Sequence, residues 1–363
     1  MKPLSHNELL QAVARFQIDG ELTSIEPNNN GHINDTFIVT VSTLNKKRKR
    51  YILQRINASV FPNVNQVMFN ITSVLSYLHE KVKERGGEPE RETLTLIPTQ
   101  EGESYFQDGE GCFFRCYAYL ECSKVYNSTT PELFGKSGFA FGQFQANLDG
   151  FPAESLYEVL PHFHDTPKRY QDLLEAIGKA IPERRQKAEK EIAWAKDNSP
   201  IAYYLSGKGL PLRVTHNDTK LNNVLFYDDG KSCVIDLDTV MPGYSLYDYG
   251  DSIRFGANEA AEDEKDLSKV KLSLECFESY TKGYLEGAEG KLTAEEIALF
   301  PEAGMTLTYE CGIRFLTDFL NGDVYFKTAY PSHNLIRAKS QFALVEDMKK
   351  KLPEMRSIIA KYR

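Results

Sequence analysis
Apolar residues open the chain at helical spacing. Leu9, Leu10, Val13 and Phe16 fall on one face behind Ser5-His-Asn-Glu8, which has the residue order of a capping box. From Leu22 the pattern changes to strands. A turn-rich stretch from Asn28 runs into the β-branched Thr36-Phe-Ile-Val-Thr-Val41, and a polar tip at 45–50 leads into Tyr51-Ile-Leu-Gln-Arg-Ile56. Helical spacing returns from Phe61 to Lys83, followed by two strand segments around Thr93–Ile97 and Gly111–Leu120. Helices are predicted over Pro131–Leu148 and Lys168–Lys196, the second charged along one face, and the chain is mostly helical from Lys269 onward. The charged run Glu259–Asp266 reads as a solvated connector, and Gly322–Pro331 as an aromatic, turn-rich loop. No internal repeat interrupts this order. The expectation is an α+β chain with a strand-rich lobe over 1–120 and a mostly helical lobe over 121–363.

Between the two predicted helices of the second lobe lies His162-Phe-His-Asp165. Its alternating histidines suit either metal ligation or a structural corner, and the corner is favoured because no Cys or Glu set lies nearby. The most informative stretch is Val214-Thr-His-Asn-Asp-Thr-Lys-Leu-Asn-Asn-Val-Leu-Phe226, followed by Val234-Ile-Asp-Leu-Asp238. Short apolar runs bracket a polar loop that carries Asp218 and, five residues on, Asn223; Asp236 ends the next apolar run. Phosphoryl transfer needs a carboxylate to receive the acceptor hydroxyl's proton and oxygen ligands for Mg2+ on the nucleotide phosphates. These three residues supply both. Asp and Asn are also common in turns, where they bond their own backbone; the ordered pair of elements is what points to chemistry.

Composition narrows the partners. With 363 residues, 41% hydrophobic and 26% charged, the chain has the make-up of a soluble globular protein large enough for two lobes. A net charge of −8 argues against nucleic acid as the main partner, although a local positive pocket still suffices for ATP. The basic tip Lys46-Lys-Arg-Lys-Arg50 reads as a solvated turn rather than a nucleic-acid patch. Six cysteines without a Cys-x-x-Cys pair point to free thiols in a reducing compartment rather than to zinc or disulfides. No signal-like core or membrane-length apolar run is present, so a cytoplasmic location and no membrane partner are expected.

The spacing His216-x-Asp218-x-x-x-x-Asn223, then Ile235-Asp236, is that of a protein-kinase-like catalytic loop and metal-binding aspartate. The chain resembles the aminoglycoside phosphotransferase/choline kinase branch of that fold and, within it, the N-acetylhexosamine kinases. The closer likeness rests on Glu26-Pro27, Gly31-His-Ile-Asn34, Tyr51-Ile-Leu-Gln54, His162-Phe-His-Asp-Thr-Pro167 and Gly250-Asp-Ser-Ile-Arg-Phe-Gly256. It continues through Glu310-Cys-Gly312, Arg314-Phe-Leu316 and Tyr325-Phe326, and so runs across almost the whole chain. The resemblance implies that Asp218 is the catalytic base and Lys220 a contact to the transferring phosphoryl group. It further implies Asn223 and Asp236 as Mg2+ ligands, Asp248 as a brace of the catalytic-loop backbone, and His32, Arg314 and Tyr325 as lining of a sugar pocket.

For the nucleotide, the Asn/Gly-rich turn at Gly31 suits a phosphate-covering loop and Leu120-Glu121 reads as a hinge whose backbone pairs with adenine, and the resemblance adds the strand position Gln54. Two departures from the wider kinase pattern stand out. The strand that usually ends in a phosphate-pairing lysine has Gln54, and the glycine-rich loop has shrunk to Asn-Asn-Asn-Gly-His. The implied activity is ATP- and Mg2+-dependent phosphorylation of the anomeric hydroxyl of an N-acetylhexosamine. The alternatives are a related kinase acting on another sugar, an amino alcohol or an aminoglycoside, and a catalytically silent protein that binds nucleotide or sugar.

Overall fold
The Ser5 hydroxyl accepts the Glu8 N–H at 3.3 Å while the Glu8 carboxylate accepts the Ser5 N–H at 2.6 Å, so the capping box closes and α1 (His6–Ala14) starts where its sequence requires. The computed structural model describes residues 3–28 and 33–363; the positions of Gly31 and His32 lie outside the described residues. Leu9, Val13 and Phe16 are buried as the spacing predicts, whereas Leu10 turns outward at 36% exposure and Ala12 takes the fourth inward place. β1 (Glu21–Pro27), β2 (Asp35–Ser42) and β3 (Arg48–Ile56) follow, then α2 (Val64–Glu84), a single turn α3 (Pro89–Glu92), β4 (Phe106–Gln107) and β5 (Phe113–Ala118). The strands form one antiparallel sheet in the order β1-β2-β3-β5-β4.

Three sequence expectations need correction here. The basic tip is shorter than predicted: the turn bends at Lys46 (φ 56°), and Arg48, Lys49 and Arg50 already belong to β3. Thr93–Ile97 runs beside β5 with two backbone bonds and one bridge, Leu96 to Tyr117, but does not make a strand of its own. The edge strand β4 went unforeseen because two residues carry no period.

After residue 124 come α4 (Pro131–Asn147), α5 (Thr166–Lys179), α6 (Pro182–Lys187) and α7 (Glu189–Asp197). The single helix predicted over 168–196 is therefore three. Ala180 and Ile181 are extended, with ψ of 141° and 145°, and the ring of Pro182 drives Ile181, the residue before it, out of the helical region. Four short strands follow: β6 (Arg213–Thr215), β7 (Val224–Phe226), β8 (Ser232–Val234) and β9 (Met241–Gly243). The rest is helical: α8 (Ser245–Gly256), α9 (Leu274–Gly287), α10 (Ala294–Ala298), α11 (Phe300–Asn321), α12 (His333–Lys350) and α13 (Leu352–Tyr362). Glu259–Asp266 is more than a solvated connector, since Glu262 pairs with Arg254 at 3.0 Å and Asp263 with His333 at 3.1 Å. No helix among the described residues is long and apolar enough to cross a membrane.

The chain divides into two compact units. The first comprises Met1–Lys124, Glu154–Leu160 and Leu225–Met241. On one sheet face, α1 packs against Val39, Val41, Tyr51, Leu53, Phe114 and Cys116. Inside this unit the buried Asn70 of α2 donates to the Tyr157 and Val240 carbonyls, both at 2.8 Å, so α2 holds two segments that are distant in sequence.

The second unit comprises Val125–Ala153, Pro161–Val224 and Pro242–Arg363. Its centre is α11, which begins with Pro301 in the first turn and ends at Gly322 with φ 103°, a left-handed stop that favours glycine. In the same unit α4 and α9 meet backbone to backbone. A Cβ on Gly283 would lie 2.0 Å from the Gly135 carbonyl oxygen, and one on Gly142 would lie 2.2 Å from that of Tyr284. Neither neighbour is a side chain that can swing away, so Gly283→Ala must part the helices. A loss of about 1–3 kcal/mol is expected from denaturant unfolding. The control Gly178→Ala, on α5 with nothing within 4 Å, should be neutral or stabilising by up to about 1 kcal/mol. Equal effects at the two positions would mean that the close approach is not limiting.

Candidate active site
Residues 216–223 turn sharply between β6 and β7, and almost every backbone group named there has a partner inside the second unit. The Asp248 carboxylate accepts the His216 N–H at 2.9 Å and the Asn217 N–H at 2.7 Å, and Gln145 donates to the same carboxylate at 3.1 Å. This is the bracing role expected of Asp248. Burial pushes its carboxyl pKa up, against the pull of His216 and the two backbone donors. The Thr219 hydroxyl donates to the Asp248 carbonyl at 2.6 Å, and the Thr219 carbonyl accepts from Ser252, which in turn accepts from Tyr280. Asn217 is left-handed (φ 65°), a conformation that asparagine tolerates better than most residues. The His216 ring lies edge-on to Phe141 and Phe144 and is fully buried.

This frame presents Asp218. Lys220 Nζ lies 2.6 Å from its Oδ1, and Asn223 Nδ2 donates to Asp218 Oδ2 at 3.1 Å and to the Asp218 carbonyl at 2.8 Å. Three residues singled out by the sequence thus form one cluster. Burial disfavours the Lys220 ammonium, but Asp218 and, further off, Asp251 outweigh it and hold its pKa above the ordinary lysine value. The amide nitrogen of Asn223 is committed to Asp218, which makes its oxygen the atom suited to a cation.

Asp236 belongs to the first unit. It stands in the left-handed region (φ 62°, ψ 59°) just after β8, at the start of the short turn Leu237–Thr239. Asp238 anchors that turn: its carboxylate pairs with Arg115 of β5 at 2.5 Å and accepts from Asn34 at 2.5 Å. Gln54 and Arg115 face each other across β3 and β5, and the Gln54 side-chain Oε1 accepts from Arg115 Nε at 2.9 Å. The position of the missing lysine is thus backed by a guanidinium, 1% exposed, that sequence reading passed over. Burial works against its charge, and Asp238, with Asp236 further off, more than offsets this and raises its pKa. The available signal was an arginine in the otherwise apolar run Phe113–Ala118.

Leu120 and Glu121 follow β5. The Leu120 carbonyl accepts from Ser123 at 2.7 Å, and the Glu121 carboxylate pairs with Arg50, whose guanidinium covers the Tyr119 ring at 3.8 Å. In the second unit, Arg314 and Tyr325 both meet Phe326: the Arg314 guanidinium lies 5.8 Å from that ring's centre, and the Tyr325 ring lies 4.7 Å from it. Arg314 also covers Phe163 at 5.0 Å. The Asp318 carboxylate fixes the loop by accepting the N–H groups of Val324, Tyr325 and Phe326 at 2.9, 2.8 and 2.9 Å. Tyr325 is left 67% exposed on a pinned backbone. The motif His162–Asp165 does form a corner, with Asp165 capping α5 at the Lys168 N–H and His164 buried against Glu310.

Asn223 in the second unit and Asp236 in the first each carry an oxygen donor, an amide and a carboxylate, of the kind that Mg2+ takes. Among the described residues no cluster of three or more His, Cys, Asp or Glu side chains is placed to hold a metal alone.

Comparison with known proteins identifies the fold and the family. Among solved structures, the chain is similar to the microcompartment-associated aminopropanol kinase, with 16% identity, a TM-score of 0.62 and coverage of 97% of this chain and 99% of that one. It is similar to an aminoglycoside phosphotransferase from Alicyclobacillus acidocaldarius, with 15% identity, TM-score 0.59 and coverage of 99% and 98%. A spectinomycin phosphotransferase solved with ADP and spectinomycin matches at 11% identity, TM-score 0.61 and coverage of 97% and 100%. These likenesses establish the protein-kinase-like fold. The model of the phosphotransferase enzyme family matches residues 24–270. That span holds the sheet with Gln54 and Arg115, the loop of Asp218 and Asn223, and the turn of Asp236, and the chain belongs to the phosphotransferase enzyme family.

Proposed function
We propose that the protein is an ATP-dependent sugar 1-kinase that phosphorylates the anomeric hydroxyl of N-acetylglucosamine or N-acetylgalactosamine. The observation that carries the acceptor class is Arg314, a guanidinium held against aromatic faces beside the exposed Tyr325 on a pinned loop. A fixed donor fork and an amphipathic ring suit a hydroxyl-rich, uncharged ligand. Arg169, which donates to the Phe163 carbonyl at 3.3 Å, adds a second guanidinium; burial and Arg314 both lower its pKa. The counter-ions of both are already engaged, Glu310 with Arg314 at 3.8 Å and Asp172 with Arg169 at 3.7 Å, so the wall offers hydrogen-bond donors, which suits a sugar better than choline, an amino alcohol or an aminoglycoside.

In this reading Asp218 orients the hydroxyl and takes its proton as the new O–P bond forms and the bond to ADP breaks. Lys220, beside Asp218, stabilises charge on the transferring group. Asn223 and Asp236 would hold Mg2+, which neutralises the nucleotide phosphates when bound. Gln54 and the Leu120–Glu121 segment are assigned to the nucleotide, as is Gly31; His32 is assigned to the sugar together with Arg314 and Tyr325.

Arg314→Ala is expected to lower kcat/KM for the sugar by roughly ten- to a hundredfold, since buried sugar hydroxyls lose partners worth about 1–3 kcal/mol each. The KM for ATP should stay within about twofold. Equal losses for both substrates would remove Arg314 from the sugar site. The acceptor class itself is tested by coupled ADP release across N-acetylhexosamines, plain hexoses, choline, aminopropanol and aminoglycosides. Fastest turnover of an N-acetylhexosamine is expected. Turnover confined to amine-bearing acceptors would overturn the sugar reading, and melting shifts without ADP release would overturn catalysis.

A further inference from the structure
The His162–Asp165 corner holds a group that the reaction above does not use. His164 is buried on the approach to α5, with Nδ1 2.9 Å from Glu310 Oε1 and Nε2 3.2 Å from the Asn217 carbonyl oxygen. A carboxylate and a backbone carbonyl are both acceptors. A neutral imidazole has one N–H and one lone pair, so it satisfies only one of them and turns a lone pair on the other. The ring that satisfies both carries two protons.

Glu310 is arranged as the matching anion. Its Oε2 accepts from Thr166 at 2.7 Å, and its Oε1 lies 3.8 Å from Arg314 as well as beside His164. The charged groups that act on His164 are Glu310 and Arg314 on α11 and Asp248 and Asp251 on α8. The Tyr247 ring of α8 and the Phe163 ring complete its surroundings. Burial and Arg314 disfavour the imidazolium, and Glu310, helped by Asp251, outweighs them and raises the histidine pKa. Burial likewise opposes the Glu310 carboxylate, and His164 with Arg314 holds its pKa below the ordinary value.

We propose that His164 is a positioning residue that works as a buried imidazolium, tying the carbonyl of Asn217, next to Asp218, to the Glu310 carboxylate that also holds Arg314. Asn217 is clamped from both sides, its N–H by Asp248 and its carbonyl by His164. One buried carboxylate thereby sets the register between the residue assigned to the acceptor and the backbone that presents the base. This rests on the assignment of Asp218 and Arg314 given above.

The sign of the pH effect follows. A histidine whose folded pKa is raised contributes fully below its unfolded value of about 6.5 and loses that contribution as pH rises through the folded value. Activity should therefore fall on the alkaline side through loss of this proton.

The direct test is long-range 1H–15N NMR of the His164 ring in the unliganded wild-type protein, assigned through ring-to-Cβ correlations. Two protonated ring nitrogens at pH values above about 6.5, the ordinary histidine pKa, are expected. A single neutral tautomer at pH 7 overturns the proposal. The kinetic arm uses Glu310→Gln and His164→Gln, checked for folding by thermal unfolding. Each should lower kcat roughly ten- to a hundredfold, as small misplacements near reacting groups do, with the KM for ATP within about twofold, and the alkaline limb that reports His164 should disappear from the pH profile. Folded variants that keep wild-type kcat and the same limb overturn it. The ring measurement needs no acceptor, so a doubly protonated His164 in a protein inactive on every sugar supports the pair while faulting only the acceptor assignment.

Discussion

Asp218→Asn is expected to lower kcat by a factor of roughly 10^2–10^4, the range for loss of a general base, while nucleotide binding stays nearly intact. The substitution is close to isosteric, and the loop that presents position 218 is held by other groups. Asp248 binds the N–H groups of His216 and Asn217, Ser252 the carbonyl of Thr219, and Asn223 the carbonyl of residue 218 itself. The backbone should therefore keep its course. What changes is chemistry: the amide cannot accept the hydroxyl's proton, and the Lys220 ammonium 2.6 Å away loses its counter-ion. Because Asp218 and its neighbours hold the Lys220 pKa up, the variant should also let that lysine titrate at lower pH than in the wild type. A variant that turns over within about threefold of wild type would remove Asp218 as the base.

Asp236→Ala is expected to abolish activity at ordinary Mg2+, because the proposed metal loses its carboxylate. The left-handed backbone at Asp236 complicates a simple alanine test. Alanine is disfavoured there by about 1–2 kcal/mol, so loss of activity would mix strain with lost ligation. Asp236→Asn separates the two, since asparagine tolerates that conformation and keeps an oxygen but not the charge. It should be severely impaired with unchanged thermal stability. Asn223→Ala should be milder and partly restored by raised Mg2+ or by Mn2+. A metal titration in which none of these variants differs from wild type would exclude both residues as ligands.

Much of the fold was legible because one-sided burial writes a period into sequence. α1, α2 and α4 lie close to their predicted places, each with one face turned to a core, and so does β5, which is buried on both faces and shows as an apolar run. The failures have local causes. Pro182 ends a helix whose charged periodicity runs on past it, and β4 is too short to show a pattern. The candidate site divides the same way. Asp218 and Asn223 stand five apart on one loop, so their juxtaposition was readable from spacing, whereas Lys220 between them was pointed to by the family resemblance. Arg115 meets Gln54 across 61 positions, and His164 meets Glu310 across 146. Such pairings are set by strand register and helix packing, which no local pattern encodes. What sequence did offer was the anomaly of a charge inside an apolar run, Arg115 in β5 and Glu310 in α11. A buried charge must be paired, and each of these found its partner in the structure.

The most direct measurement is on the anomeric oxygen itself: turnover of an N-acetylhexosamine compared with its methyl glycoside, with the product's phosphorus followed by 31P NMR. A 1-kinase phosphorylates only the free sugar and yields a phosphate coupled to the anomeric proton, and the methyl glycoside should release no ADP above background. Efficient phosphorylation of the methyl glycoside, or a phosphate coupled to C6 protons, would contradict the account even if the protein proved to be a sugar kinase.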